Sequence, residues 1–418
     1  MINIPKPDSL LPVVHPLSNG WNLFLFPSEN TELLRMDILF EAGAAYQQHF
    51  FCSAAANKLL TVATRKMEAA RMAEFLDYRG VVIETSNEVH QSTLSVYMLR
   101  RFAPEVLPVI HSMLTEPAYD EDDFELWKNK KKNDIAAQER RTSEMARRLF
   151  YKTLFGSEHP LGMYAGTEDV ESLTLDMVKQ HHGKYYHLNK CTLVLAGKID
   201  DQLIAIIDRL FASTPHIDID RPLLDVPAAI SLSNQPSCDI HVPEATQTTL
   251  RMGRVLPLTW DDPEYANLML LTTLLGGYFG SRLMNNIRED KGYTYGIYSH
   301  TQIFRGVVVF YITSDLTPDS VADAKNEINK ELEGLSHIEE EELQRVKTIF
   351  AADFIRSIDG VFERSTRFCD MISTCVDERL SVNISAALKH ATASDLEKTA
   401  VRLLAPDSMI VCRAGQLE

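Results

Sequence analysis

The chain has 418 residues, 45% hydrophobic and 24% charged, which is enough apolar material for two or three domains with sizeable cores. A net charge of −16 argues against nucleic acid as the main partner; it fits a solubilising surface, with attraction for basic peptides as the lesser reading. The sequence opens without a basic, then apolar, leader and no run reaches membrane-spanning length, so no membrane association and a cytoplasmic location are expected.

In chain order, residues 22–28 (NLFLFPS) and 33–43 (LLRMDILFEAG) alternate around Pro27 and Asn30, which predicts a β-hairpin. His49 and Cys52 follow at helical spacing, but a metal site there lacks a third ligand nearby. Residues 103–127 read as an amphipathic helix, an acidic break and a second helix. Asp120 to Asp123 then fall in the first turn, where carboxylates complement the helix dipole. Residues 174–197 predict a helix opened by Thr174, a turn and an apolar strand ending Ala196-Gly197. The adjacent His181 and His182 lie on different sides of that helix and read as surface residues unable to share an ion. A proline-bearing stretch, 216–235, reads as a linker. Beyond it, 248–256 and 306–314 alternate like strands. The glycines 276, 277 and 280 follow an apolar helix and read as its C-terminal cap, not a phosphate loop. The six cysteines have no CxxC spacing and read as buried thiols in a reducing compartment.

The order of elements repeats. Residues 392–415 again give a Thr-started helix, a turn and an apolar strand ending Ala414-Gly415, 218 residues beyond the first Ala-Gly pair. Residues 317–345 match 103–127, with Glu339 to Glu342 as the acidic turn. The expected fold is α+β: two duplicated domains, 1–215 and 236–418, each an antiparallel sheet with helices packed on one face.

No His-Glu-x-x-His, His-x-x-Glu-His or Gly-x-Ser-x-Gly occurs. Yet the order and spacing of several segments resemble the inverted-zinc peptidase family, which includes pitrilysin, insulin-degrading enzyme and mitochondrial processing peptidase. The segments are PLSNGWNLFLFPS (16–28), FEAGAAYQQ (40–48), LFGSEHPLGMYAGTEDVESLT (154–174) and, most specifically, LLGGYFGSRLMNNIREDKGYTYGIYSH (274–300). The resemblance covers nearly the whole chain. It implies a duplicated α+β unit, and four such units enclosing a peptide-holding chamber.

In active members a helix carries His-x-x-Glu-His, whose histidines bind zinc with a downstream Glu. Here that motif falls on residues 54–58, with Ala54 and Lys58 at the histidine positions and Asn57 at the general base. The third-ligand region falls near Asn133 and Asp134. Asn57 cannot take a proton as Glu does. A Lys58 charge about 4 Å from a divalent ion costs on the order of 8 kcal/mol at an effective dielectric near 20. No metal or other cofactor is therefore expected on this chain, and zinc only on a catalytic partner.

The family's Arg-Tyr pair, which completes the site across the chamber, matches Arg288 and Tyr295. Arg can hold a carbonyl or carboxylate and Tyr can stabilise an oxyanion. The plainer reading is an Arg paired with Glu289 or Asp290 and a core Tyr. The leading functional expectation is a non-catalytic subunit that binds peptides with a homologous, zinc-carrying chain. The alternative is a homodimeric peptide-binding or scaffold protein. A zinc peptidase with a displaced site at His49, Cys52 or Asp134 is the weakest reading.

Overall fold

A computed structural model describes residues 10–213, 215–218, 220–223 and 237–416. Strands β1 (Val13–Pro16), β2 (Asn22–Pro27), β3 (Leu33–Phe40), β4 (Val82–Asn87), β5 (Ser92–Leu99) and β6 (Thr192–Gly197) form one sheet in the order β1-β2-β6-β3-β5-β4. Strands β7 (Ser237–His241), β8 (Thr248–Val255), β9 (Thr294–Phe304), β10 (Val307–Leu316) and β11 (Ile410–Gly415) form a second in the order β7-β11-β8-β10-β9. The second order reproduces β2-β6-β3-β5-β4 of the first, strand for strand. The duplication read from the Ala-Gly pairs is thus a duplication of topology.

The α+β architecture stands, with two refinements. Each sheet carries one parallel pair, β2 with β6 and β7 with β11, beside its antiparallel pairs. The hairpin expected from 22–28 and 33–43 does not form. β6 lies between β2 and β3, and every residue of this TLVLAG strand is buried. A strand apolar on both faces belongs in a sheet interior, so it displaces the local pairing. The hairpins among the described residues are β1–β2, β4–β5 and β9–β10, the last turning at Arg305 and Gly306, whose φ is +76°.

Helix ends follow their sequence signals. Thr174 and Thr392 accept hydrogen bonds from the backbone N–H groups of Met177 (3.4 Å) and Asp395 (3.2 Å). Asp120 caps the helix Glu121–Glu139, and the acidic run 340–342 opens the helix Glu340–Arg356. The glycine-rich turn differs from expectation. Gly276 has φ −155° and is no left-handed cap; a Cβ there would meet the Ser299 backbone nitrogen at 2.5 Å. Its role is the close approach of the helix end to β9, fixed by Ser299 donating to the Thr272 carbonyl at 2.7 Å.

Each half packs its helices on one face of its own sheet, and the other face takes a helix from the other half. Phe150, Tyr151, Leu154 and Phe155 of helix Thr142–Phe155 bury against Val307, Val309, Ile410 and Cys412 of the second sheet. Reciprocally, helix Val361–Thr374 lays Phe362, Phe368, Cys369 and Ile372 on Phe26, Leu39, Val194 and Ala196 of the first. Each fully buried large side chain contributes roughly 1.5–3 kcal/mol, so the halves share core energy and do not merely abut.

An ion pair joins them as well. The wholly buried Arg305 guanidinium meets both Glu41 carboxylate oxygens at 2.8 Å, and its Nε donates to the Ser373 carbonyl at 2.9 Å. The expected linker, 216–235, is described only at 216–218 and 220–223. These lie along the first half, with His216 stacked on Trp21 and Arg221 donating to Thr192. The rest of that stretch lies outside the described residues. Among the described residues no helix is long and apolar enough to cross a membrane.

Candidate functional site

The degenerate motif lies on helix Cys52–Leu59, and its three positions take separate environments. Asn57 is 2% exposed, and its amide donates to the carbonyls of Ser86 (2.6 Å) and Thr93 (3.3 Å). It therefore ties the helix to β4 and β5. Lys58 is exposed and lines a groove beside β4 with Ile83, Glu84, Thr85, Ser86 and Ser95. Ala54 lines a different space, a cavity of about 520 Å³. The repulsion expected from Lys58 is corrected accordingly, because its ammonium stands in solvent. The cations around the Ala54 cavity are Lys131, Arg147 and Arg148.

Asn133 and Asp134 are exposed, whereas Lys131 and Gln138 of the same helix line the cavity and Ile135 is buried. The helical period turns the carboxylate outward and a lysine inward. Glu144, the one carboxylate of the lining, is committed to Arg147 (2.7 and 2.9 Å) and Arg148 (2.8 Å). This donor set does not suit zinc, which takes imidazole, thiolate or free carboxylate ligands in a tetrahedron.

Contrary to the surface placement expected, His181 is buried and His182 half-buried. His181 is 5% exposed and its Nε2 meets the Ala42 carbonyl at 2.9 Å; His182 Nε2 meets the Leu114 carbonyl at 3.0 Å. They point to different partners, and burial pushes His182 down to about 4. Sequence reading missed them because His is polar by composition but flat and aromatic in packing, here against Tyr185 and Tyr186. His49 and Cys52 do share a small cavity with His181, but burial pushes the Cys52 thiol up, away from the thiolate a metal needs.

Arg288 and Tyr295 lie on the second half and do not line the Ala54 cavity. Arg288 pairs with Glu289, as the plainer reading has it, and lies over the Phe279 ring at 4.5 Å. Tyr295 is not a core residue. It is 91% exposed on β9, an edge strand of its sheet. Phe279 and Tyr298 are also exposed.

One constellation escaped sequence reading. His90 is buried beside the Glu41–Arg305 pair, and neither ring nitrogen has a hydrogen-bond partner among the described residues. Burial, with the Arg305 charge added, pushes it down to about 4. It lines a cavity of about 390 Å³ between the halves with Asp37, Arg305 and Cys369. Only long-range contacts bring these together, so no local signal could have found them.

Residues 172–350 match the family model described as the peptidase M16 inactive domain. The non-peptidase homolog YmxG of Helicobacter pylori is 22% identical over 244 residues, 58% of this chain and 55% of that protein. An uncharacterized zinc protease of Streptomyces coelicolor is 25% identical over 297 residues, 66% of this chain and 61% of the relative. The matches thus span little more than half the length of these relatives. Among solved structures, a peptidase M16 inactive domain from Pseudomonas fluorescens shares the fold with a TM-score of 0.84 at 20% identity, over 97% of this chain and 98% of that one. The periplasmic protease PqqL of Escherichia coli gives 0.73 at 16% identity, over 97% of this chain but 46% of its own. The fold is thus matched almost end to end and the sequence across its middle, so the chain is similar to the inverted-zinc (M16) peptidases while lacking the His-x-x-Glu-His motif.

Proposed function

We propose that this chain is a non-catalytic subunit that supplies half of a peptide-holding chamber and presents Arg288 and Tyr295 to a zinc site on a homologous partner. The observation that carries this reading is the exposure of Tyr295. Its phenol has no hydrogen-bond partner among the described residues and stands exposed on β9, an edge strand of its sheet. A tyrosine so placed adds little to the stability of its own chain and is free to act on a neighbour's. The E. coli protease, of which this fold spans 46%, supports the assignment of the remaining half to a second unit.

Peptide is held at the free edge of β4, in this reading, where backbone groups stand unpaired beside the Lys58 groove and can take an added strand. The cysteines, which form no disulfide among the described residues, support a reducing, cytoplasmic setting.

Affinity purification from the native source at moderate salt tests the proposal. The expected result is a near-equimolar chain carrying His-x-x-Glu-His, with peptide cleavage by the complex that Arg288→Ala lowers without disrupting assembly. Recovery of the chain only with itself, holding peptides and cutting none, would replace this reading with the homodimeric peptide-binding or scaffold one.

A further inference from the structure

The cavity beside Ala54 offers no free metal ligand and is lined instead by cations. Its charged lining is Lys131, Arg147, Arg148 and Glu144, three cations to one carboxylate, within a chain of net charge −16. That carboxylate is already taken by both arginines. Arg148 is the better buried of the two. Its Nε donates to Glu144 and its Nη2 to Gln138 at 2.9 Å, its guanidinium lies 4.1 Å from the Tyr164 ring centre, and its buried Nη1 has no partner. Lys131 forms no ion pair among the described residues and rests over the Phe51 ring at 4.9 Å. Burial pushes the Lys131 ammonium down, opposed by Asp134 and reinforced by Arg148. A cation partly withdrawn from water beside a second cation is costly, and the cost falls when an anion enters.

The space suits a small organic anion. A volume of about 520 Å³ lies within the range of ligand sites, and Phe50, Phe51, Leu161 and Met163 give it an apolar wall. We propose that this cavity binds a carboxylate, presented by the C-terminus of a peptide or by an acidic side chain within one. Lys131 and the Arg148 guanidinium supply the charge. The position at which active relatives hold zinc thus becomes an anchoring point for an acidic group. The inference requires neither Arg288, Tyr295 nor a partner chain.

The purified chain is titrated by calorimetry with three acetylated penta-alanine probes: one with a free C-terminus, one amidated with a central glutamate, and one amidated with a central glutamine. At least one carboxylate probe is expected to bind ten-fold or more tighter than the glutamine probe. The carboxylate that binds identifies the source. Lys131→Met, which keeps the aliphatic stem, is expected to weaken that binding about ten-fold and leave the fold intact by circular dichroism. Arg148→Gln serves as the second variant. Equal binding of all three probes, binding of none at millimolar concentration, or carboxylate binding indifferent to Lys131→Met overturns the proposal. Each of these results leaves the recovery of a zinc-carrying partner unaffected, so the two readings fail separately.

Discussion

The Glu41–Arg305 pair gives the sharpest test of how the two halves are held. Arg305 has no exposed side-chain surface, and its donors are spent on Glu41, the Ser373 carbonyl and, at 3.4 Å, the Tyr46 hydroxyl. Glu41 in turn receives Gln91 and Tyr46 and stands 3.3 Å from Arg221. Truncating Glu41→Ala strands a buried guanidinium, and breaking a buried pair on one side costs about 3–5 kcal/mol. Arg305→Ala strands the carboxylate less completely, because Arg221 stays beside it, so about 2–4 kcal/mol is expected. The double variant removes both charges and so costs less than the sum of the two. Urea unfolding of the four proteins, followed by tryptophan fluorescence, yields the cycle. A coupling of at least about 2 kcal/mol is expected from a shared, desolvated network. Additive singles, or a Glu41→Ala variant within about 1 kcal/mol of the parent, would refute the argument that this pair bridges the halves.

Acid should destabilise the fold well before its carboxylates protonate. His90 and His182 sit near 4 when folded and near the ordinary 6.5 when unfolded, so the unfolded chain takes the protons first as pH falls. Stability is full above about 6.5 and is lost between there and 4, at about 2 kcal/mol per histidine from pH 7 to pH 5; a urea midpoint that stays flat over that interval contradicts the burial assigned to both rings. Gly276→Ala pushes a methyl into the Ser299 backbone and should cost about 1–3 kcal/mol, read as a fall in melting temperature. Asn57→Ala removes both amide bonds to Ser86 and Thr93 and should cost about 1–3 kcal/mol; an unchanged midpoint would show that the helix is held without them. Rebuilding the motif by Ala54→His, Asn57→Glu and Lys58→His should not give stoichiometric zinc by mass spectrometry of metals after dialysis, since Lys131 faces the cavity where a carboxylate is needed as third ligand. Retention of one zinc per chain would overturn that account.

The duplication, the α+β class, the capped helix starts and the absence of the His-x-x-Glu-His residues were all legible in the sequence. These rest on local pattern: apolar strands ending Ala-Gly, threonine and aspartate caps, and the residue types at 54, 57 and 58. Tertiary structure decided whatever depends on residues far apart in the chain. The insertion of β6 between β2 and β3 overrides a plausible hairpin because a strand apolar on both faces gains more from the sheet centre than its neighbours gain from each other. The exchange of helices Thr142–Phe155 and Val361–Thr374 between sheets is invisible to periodicity, which shows that a helix has an apolar face but not which sheet receives it. The same limit hid the burial of His181 and His182, the Glu41–Arg305–His90 cluster, and the turning of Lys131 inward and Asp134 outward. Composition names the charges on a helix; only packing decides which of them is taken out of water.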